Sequence, residues 1–120
     1  MDELIGRLVA NVGIDRDAAV KAVAVILDFL NKEGPAGAVQ DLIGKMPGAA
    51  ALLQNQPEDS GGMFAMGGLM GAGSKMMAAG LSMGQVQAVT REVIAYAREK
   101  AGEDTVGTVV GAIPGLDQFV

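Results

Sequence analysis

The chain lacks most of the side chains on which familiar enzyme chemistry depends. Its 120 residues include no His, no Cys and no Trp. The imidazole that titrates near neutral pH, the thiol nucleophile and the preferred soft metal ligands are therefore missing. Acidic residues such as Asp15, Asp17, Glu103 and Asp104 stand where helices are expected to begin, which helix electrostatics alone favours. The sequence accordingly predicts no catalytic residue, no cofactor and no metal site.

One glycine-rich segment invites comparison with a phosphate-binding loop. Gly68 and Gly73 have the spacing of the two loop glycines, and Lys75 follows them. In a phosphate-binding loop the lysine comes directly after the second glycine, so that its ammonium reaches the outer phosphates. Ser74 intervenes here and no predicted strand precedes the segment. A glycine-rich helix start is the better interpretation.

The most distinctive side chains are the methionines of the second half. Four of them lie within about 60° of one another on a helical wheel. They are Met63, Met66, Met70 and Met77. Flexible thioether side chains suit either an irregular core or a surface that binds varied apolar partners. The sulfur atoms could also hold Cu(I), but no Cys or His is present to assist them.

The charge and hydropathy of the chain indicate which kinds of partner it can bind. The net charge is −5 and the nine Lys and Arg residues are scattered, which disfavours binding to nucleic acid. Gly67 and Gly71 have the small-residue spacing of membrane helices, but Lys75 near the middle of that apolar stretch argues against a span. The acidic start of the chain differs from a secretory signal, so we expect a cytoplasmic location.

Apolar residues recur every three or four positions, which is the period of amphipathic helices. Helices are predicted over about 4–12, 15–32, 35–46, 48–53, 64–79, 82–100 and 103–113. Asp15 is a predicted N-cap, and Ser82 with Gln85 has the spacing of a capping box. Residues 54–62 contain no apolar side chain and predict a loop.

The sequence also aligns with itself without a gap when residue 13 is placed against residue 80. We call this alignment the repeat register. It pairs residues 42–48 with 109–115, and both segments run through apolar residues to a Pro-Gly break. It also pairs the predicted caps Asp15 and Ser82. The repeat register predicts two pseudo-symmetric units of about four short helices each. These units are residues 1–53 and 68–120, with a polar and Gly/Met-rich linker over 54–67.

The repeat predicts which side of the methionine-rich helix faces inward. Three predicted core residues of the first helix align with three residues of the fifth. They are Ile5, Val9 and Val12, paired with Ala72, Met76 and Ala79. The latter three lie across the wheel from the four methionines, so the repeat register places Met63, Met66, Met70 and Met77 on the surface. A position in the core is the alternative.

The layout resembles small bacterial helical proteins filed as domains of unknown function. The residues that carry the resemblance are 27–30 with Glu33-Gly34-Pro35, and the closing segment 113–119. The resemblance implies an all-α fold and supplies no activity. We therefore expect a single-domain, all-α protein that is not an enzyme. The leading hypothesis is an interaction module or homo-oligomer that uses the Met/Gly face, and the alternative is a binder that holds an apolar small molecule between the repeats.

Overall fold

The computed structural model describes residues 2–46, 48–55, 68–113 and 116, without the side chains of residues 32, 36, 53–55 and 68–72. Seven α-helices occupy these ranges. They are α1 (Asp2–Asn11), α2 (Arg16–Glu33), α3 (Ala36–Lys45), α4 (Ala49–Asn55), α5 (Gly68–Ala78), α6 (Met83–Ala101) and α7 (Glu103–Ala112). The described ranges contain no strand, so the all-α prediction is confirmed.

The helix bounds follow the predicted ones closely, with one correction. Helix α4 continues to Asn55, so the first two residues of the predicted loop 54–62 are helical. Residues 56–62 lie outside the described residues, as do residues 64–67 of the predicted fifth helix. The remaining bounds agree because caps and breakers next to each helix act locally.

Two left-handed glycines precede the two longest helices. Gly13 has φ 83° and Gly80 has φ 107°, a conformation that costs other residues steric energy. Ser82 then forms the predicted capping box: its backbone N–H donates to Oε1 of Gln85 at 2.9 Å, and the Gln85 N–H donates to Oγ of Ser82 at 3.3 Å. Asp15 holds the N-cap position of α2, but its side chain accepts no capping hydrogen bond.

Helix α2 runs through the centre of the molecule. It packs against α1, α3, α4, α5 and α6. Residues 22–27 are buried without a break, although a helix on a surface shows one side to solvent. The small side chains of Ala22 and Ala24 let neighbouring helices approach, while Ile26 and Leu27 fill the spaces between them. Helix α2 therefore organises the core.

One residue of α1 that the sequence assigned to the core is exposed in the structure. Leu4, Ile5 and Leu8 are buried, whereas Val9 is 40% exposed and was wrongly assigned to the core. The contacts of α1 are mainly with α2 and α6, and the buried arc of α1 is narrow enough to exclude Val9. The apolar stripe in the sequence is thus wider than the face that the neighbouring helices cover.

Candidate interaction surface

Two adjacent methionines at the end of α5 lie in opposite environments. Met76 is 1% exposed and belongs to the core, whereas Met77 is 47% exposed. Successive helical residues are rotated by about 100°, so a helix lying on the core separates neighbours in this way. The left-handed Gly80 then turns the chain and returns Leu81 to the core, where its N–H donates to the carbonyl of Met76.

A third methionine is exposed just beyond that turn. Met83 begins α6 and is 56% exposed, the largest value among the big apolar side chains of the described ranges. Ser74, Ala78 and Gly80 are exposed as well. We call the exposed residues Ser74, Met77, Ala78, Gly80 and Met83 the α5–α6 corner. Its members are uncharged, and two of them are large and apolar.

The chain around this corner is almost free of charge. No Asp or Glu occurs between Asp59 and Glu92, and Lys75 is the single charged residue over 60–90. Lys75 is half-buried. A surface built from this part of the sequence can meet another protein without bringing carboxylates together.

The structure describes the side chain of only one of the four predicted partner-binding methionines. Met77 is exposed, in the position that the outward-facing interpretation requires. The backbone of Met70 belongs to α5, two turns before Met77, and the structure does not describe its side chain. Met63 and Met66 lie outside the described residues. Met83 is not among the four predicted methionines, and its exposure is seen only in the structure.

A second cluster joins α1 to α6 and is ionic. Nη2 of Arg7 lies 2.9 Å from Oε1 of Glu99 and 3.2 Å from Oε1 of Glu3. Nζ of Lys100 lies 3.7 Å from Oε2 of Glu3. Both cations lie 5.5 Å from the ring centroid of Tyr96, which is 2% exposed. The hydrogen bond from Arg7 and its positive charge hold the pKa of Glu99 below its usual value, although partial desolvation opposes this shift.

The ionic cluster ties α1 to α6 through paired charges. Both of its carboxylates are engaged by cations, and the lowered pKa of Glu99 makes it a poorer proton acceptor near neutral pH. Over the described ranges, no three or more acidic side chains come together in a way that could hold a metal ion. Gly68–Ala78 is helical, so the glycine-rich segment around Lys75 is not a phosphate-binding loop.

Comparison of the chain with protein-family models, with curated proteins and with solved structures finds no match. The resemblance to small bacterial helical proteins therefore stays a prediction, as does the cytoplasmic location. Within the described ranges, no helix combines the length and the hydropathy needed to cross a membrane.

Proposed function

We propose that the protein is a non-enzymatic interaction module that pairs with a second copy of itself through the α5–α6 corner. The observation that carries this proposal is the exposure of Met77 and Met83, two large apolar side chains on either side of the Gly80 turn. Methionine side chains adapt to an apolar partner because they are unbranched and polarisable. Exposed apolar side chains that adjoin one another on a surface are typical of an interaction site.

Charge limits where a second copy of the chain can bind. Two copies that each carry a net charge of −5 repel one another over most of their surfaces. The α5–α6 corner lies within a segment, 60–91, that contains no Asp or Glu, so we place the contact there. A twofold interface places the same patch on both subunits, so Met77 of one copy meets the equivalent apolar surface of the other.

A stable dimer interface needs more apolar surface than Met77 and Met83 provide. A stable interface buries roughly 800 Å² on each partner, more than two half-exposed methionines supply. We therefore include Met63, Met66 and Met70 in the proposed surface on the basis of their helical spacing with Met77.

Sedimentation velocity over a wide range of protein concentration tests the proposal. We expect the wild type to form a reversible dimer, and the double variant Met77→Gln/Met83→Gln to bind itself about tenfold or more weakly, which corresponds to about 1.4 kcal/mol. The variant should keep the wild-type urea midpoint, because a polar side chain at an exposed position costs the monomer little.

The matched control is Val9→Gln. It removes an exposed apolar side chain from another helix and should leave dimerisation unchanged. A wild type that stays monomeric, or equal weakening by both changes, would contradict the proposal. Stabilisation of a monomer by small apolar molecules would instead favour the ligand-binding alternative.

We also propose that the fold consists of two pseudo-symmetric units. In the repeat register the bounds of α1, α2 and α3 fall at 69–78, 83–100 and 103–112, which match α5, α6 and α7 within one residue at each end. The helix-terminating residues Met46 (φ −96°, ψ 110°) and Ile113 (φ −108°, ψ 110°) have similar backbone angles. An experimental structure in which residues 13–46 superpose on 80–113 by a near-twofold rotation would support the proposal, and unmatched helices would refute it.

A further inference from the structure

Methionine sulfur is the group of this chain that reacts most readily with a peroxide. The sequence contains eight Met and no Cys, His or Trp. Its single tyrosine, Tyr96, is buried. A thiolate would compete for the oxidant, so the absence of cysteine directs peroxide to the thioethers of methionine.

The four methionines whose side chains the structure describes lie in two environments. Met46 and Met76 are fully buried and belong to the core. Met77 and Met83 are the exposed methionines of the α5–α6 corner. Oxidation requires that the oxidant reach the sulfur, so the fold opens two of these four side chains to peroxide and protects the other two.

The turn between α5 and α6 fixes the opposite environments of Met76 and Met77. The N–H of Gly80 donates to the carbonyl of Met77 at 3.0 Å, and the N–H of Leu81 donates to the carbonyl of Met76 at 3.3 Å. Leu81 is buried and anchors the turn in the core. The folded chain therefore presents Met77 to solvent and withholds its sequence neighbour.

We propose that Met77 and Met83 form a peroxide-sensitive modification site and that their oxidation ends self-association. A lone pair of the methionine sulfur attacks one oxygen of hydrogen peroxide, and the O–O bond breaks as the S–O bond forms. The second oxygen leaves as hydroxide and takes the proton of the transferred oxygen, which gives water. The sulfur is oxidised to the sulfoxide and the peroxide is reduced.

The sulfoxide changes the surface and leaves the core intact. It replaces a polarisable apolar group by a polar one, which disrupts contacts built from methionine. At the exposed positions of Met77 and Met83 this change costs the folded monomer little. The loss of pairing rests on the proposed function, whereas the selectivity for these two residues depends on their exposure alone.

Peptide mass spectrometry after brief treatment of the full chain with hydrogen peroxide tests the site. At a concentration where the chain is monomeric, we expect Met77 and Met83 to be oxidised about tenfold or more faster than Met46 and Met76, because the buried sulfur atoms react only when the structure opens. Fragmentation of the peptides distinguishes the adjacent Met76 and Met77. Equal rates at the exposed and the buried methionines would overturn the site, whatever the oligomeric state.

Sedimentation velocity of the treated protein tests the consequence of oxidation. We expect the oxidised wild type to bind itself about tenfold or more weakly than the untreated protein and to keep its circular dichroism spectrum. The matched control is Met77→Leu/Met83→Leu, which keeps two apolar side chains of similar volume and removes both sulfur atoms. This variant should dimerise, and peroxide should leave its dimerisation unchanged.

The outcomes separate this proposal from the proposed function. Equal weakening of the wild type and the leucine variant by peroxide would assign the effect to other methionines and overturn the proposal. A wild type that is monomeric before treatment would contradict the proposed function and with it the effect on pairing. The relative oxidation rates of Met76 and Met77 would then still decide whether the modification site exists.

Discussion

The guanidinium of Arg7 and the carboxylate of Glu99 pair through two hydrogen bonds across 92 residues of sequence. One connects Nη2 to Oε1 at 2.9 Å, and Nη1 bonds Oε2. This two-point geometry fixes the orientation of both side chains and closes the outer edge of the contact between α1 and α6.

The pair makes stability depend on pH in the acid range. Arg7 lowers the pKa of Glu99 in the folded protein below the ordinary value of 4.5. Its contribution is therefore complete above that value and is lost as the pH falls through the lower folded-state pKa. Glu99→Gln should reduce the urea midpoint at pH 7, and the difference from the wild type should disappear in acid. The matched control is Glu33→Gln, which alters an exposed carboxylate at the end of α2 and should change the urea midpoint at pH 7 less than Glu99→Gln does.

Gly34 is required by a close approach between α2 and α3. A Cβ at this position would lie 2.6 Å from Cγ2 of Val39 and 2.7 Å from the carbonyl oxygen of Leu30. We expect Gly34→Ala to lower the free energy of unfolding by about 1–3 kcal/mol through overpacking. Gly37→Ala should raise it by about 0.5–1 kcal/mol, because Gly37 is helical and has open space around it. Urea titrations of the two variants measure both effects, and a change of the same sign in both would refute this account of Gly34.

We expect the hydroxyl of Tyr96 to contribute little to the stability of the fold. The side chain is buried and its hydroxyl makes no hydrogen bond within the described residues, while Phe29 takes the equivalent position in the repeat register. Tyr96→Phe should change the free energy of unfolding by less than about 0.5 kcal/mol or raise it, because no partner is left unpaired. Tyr96→Ala should cost about 3–5 kcal/mol. Circular dichroism in urea is the suitable measurement, since Tyr96 is the single tyrosine.

Leu27 and Ile94 are matched core residues. Both are fully buried, and the repeat register aligns one with the other. Truncation of either to alanine should cost about 2–5 kcal/mol, because each leaves a cavity of similar size. Val9→Ala should cost well under about 1 kcal/mol, since that side chain is already exposed. Thermal melting temperatures of the three variants measure these losses of stability. A large decrease for Val9→Ala would place that residue in the core.

The sequence by itself determined the helices and most of their ends. Periodic apolar residues define each helix, and signals beside it define where it begins and ends. Ser82 and Gln85 form their predicted capping box because that interaction spans only one turn of helix. Gly13 and Gly80 adopt the left-handed conformation for an equally local steric reason.

Only the tertiary structure decided which part of each apolar stripe is covered. Val9 and Met76 align in the sequence, yet Val9 is exposed and Met76 is buried, because the helices around α1 and α5 cover different arcs. The ion pair between Arg7 and Glu99 could not be predicted either, since no local pattern relates residues so far apart. Burial and pairing depend on the positions of neighbouring helices, and those positions result from the packing of the whole core.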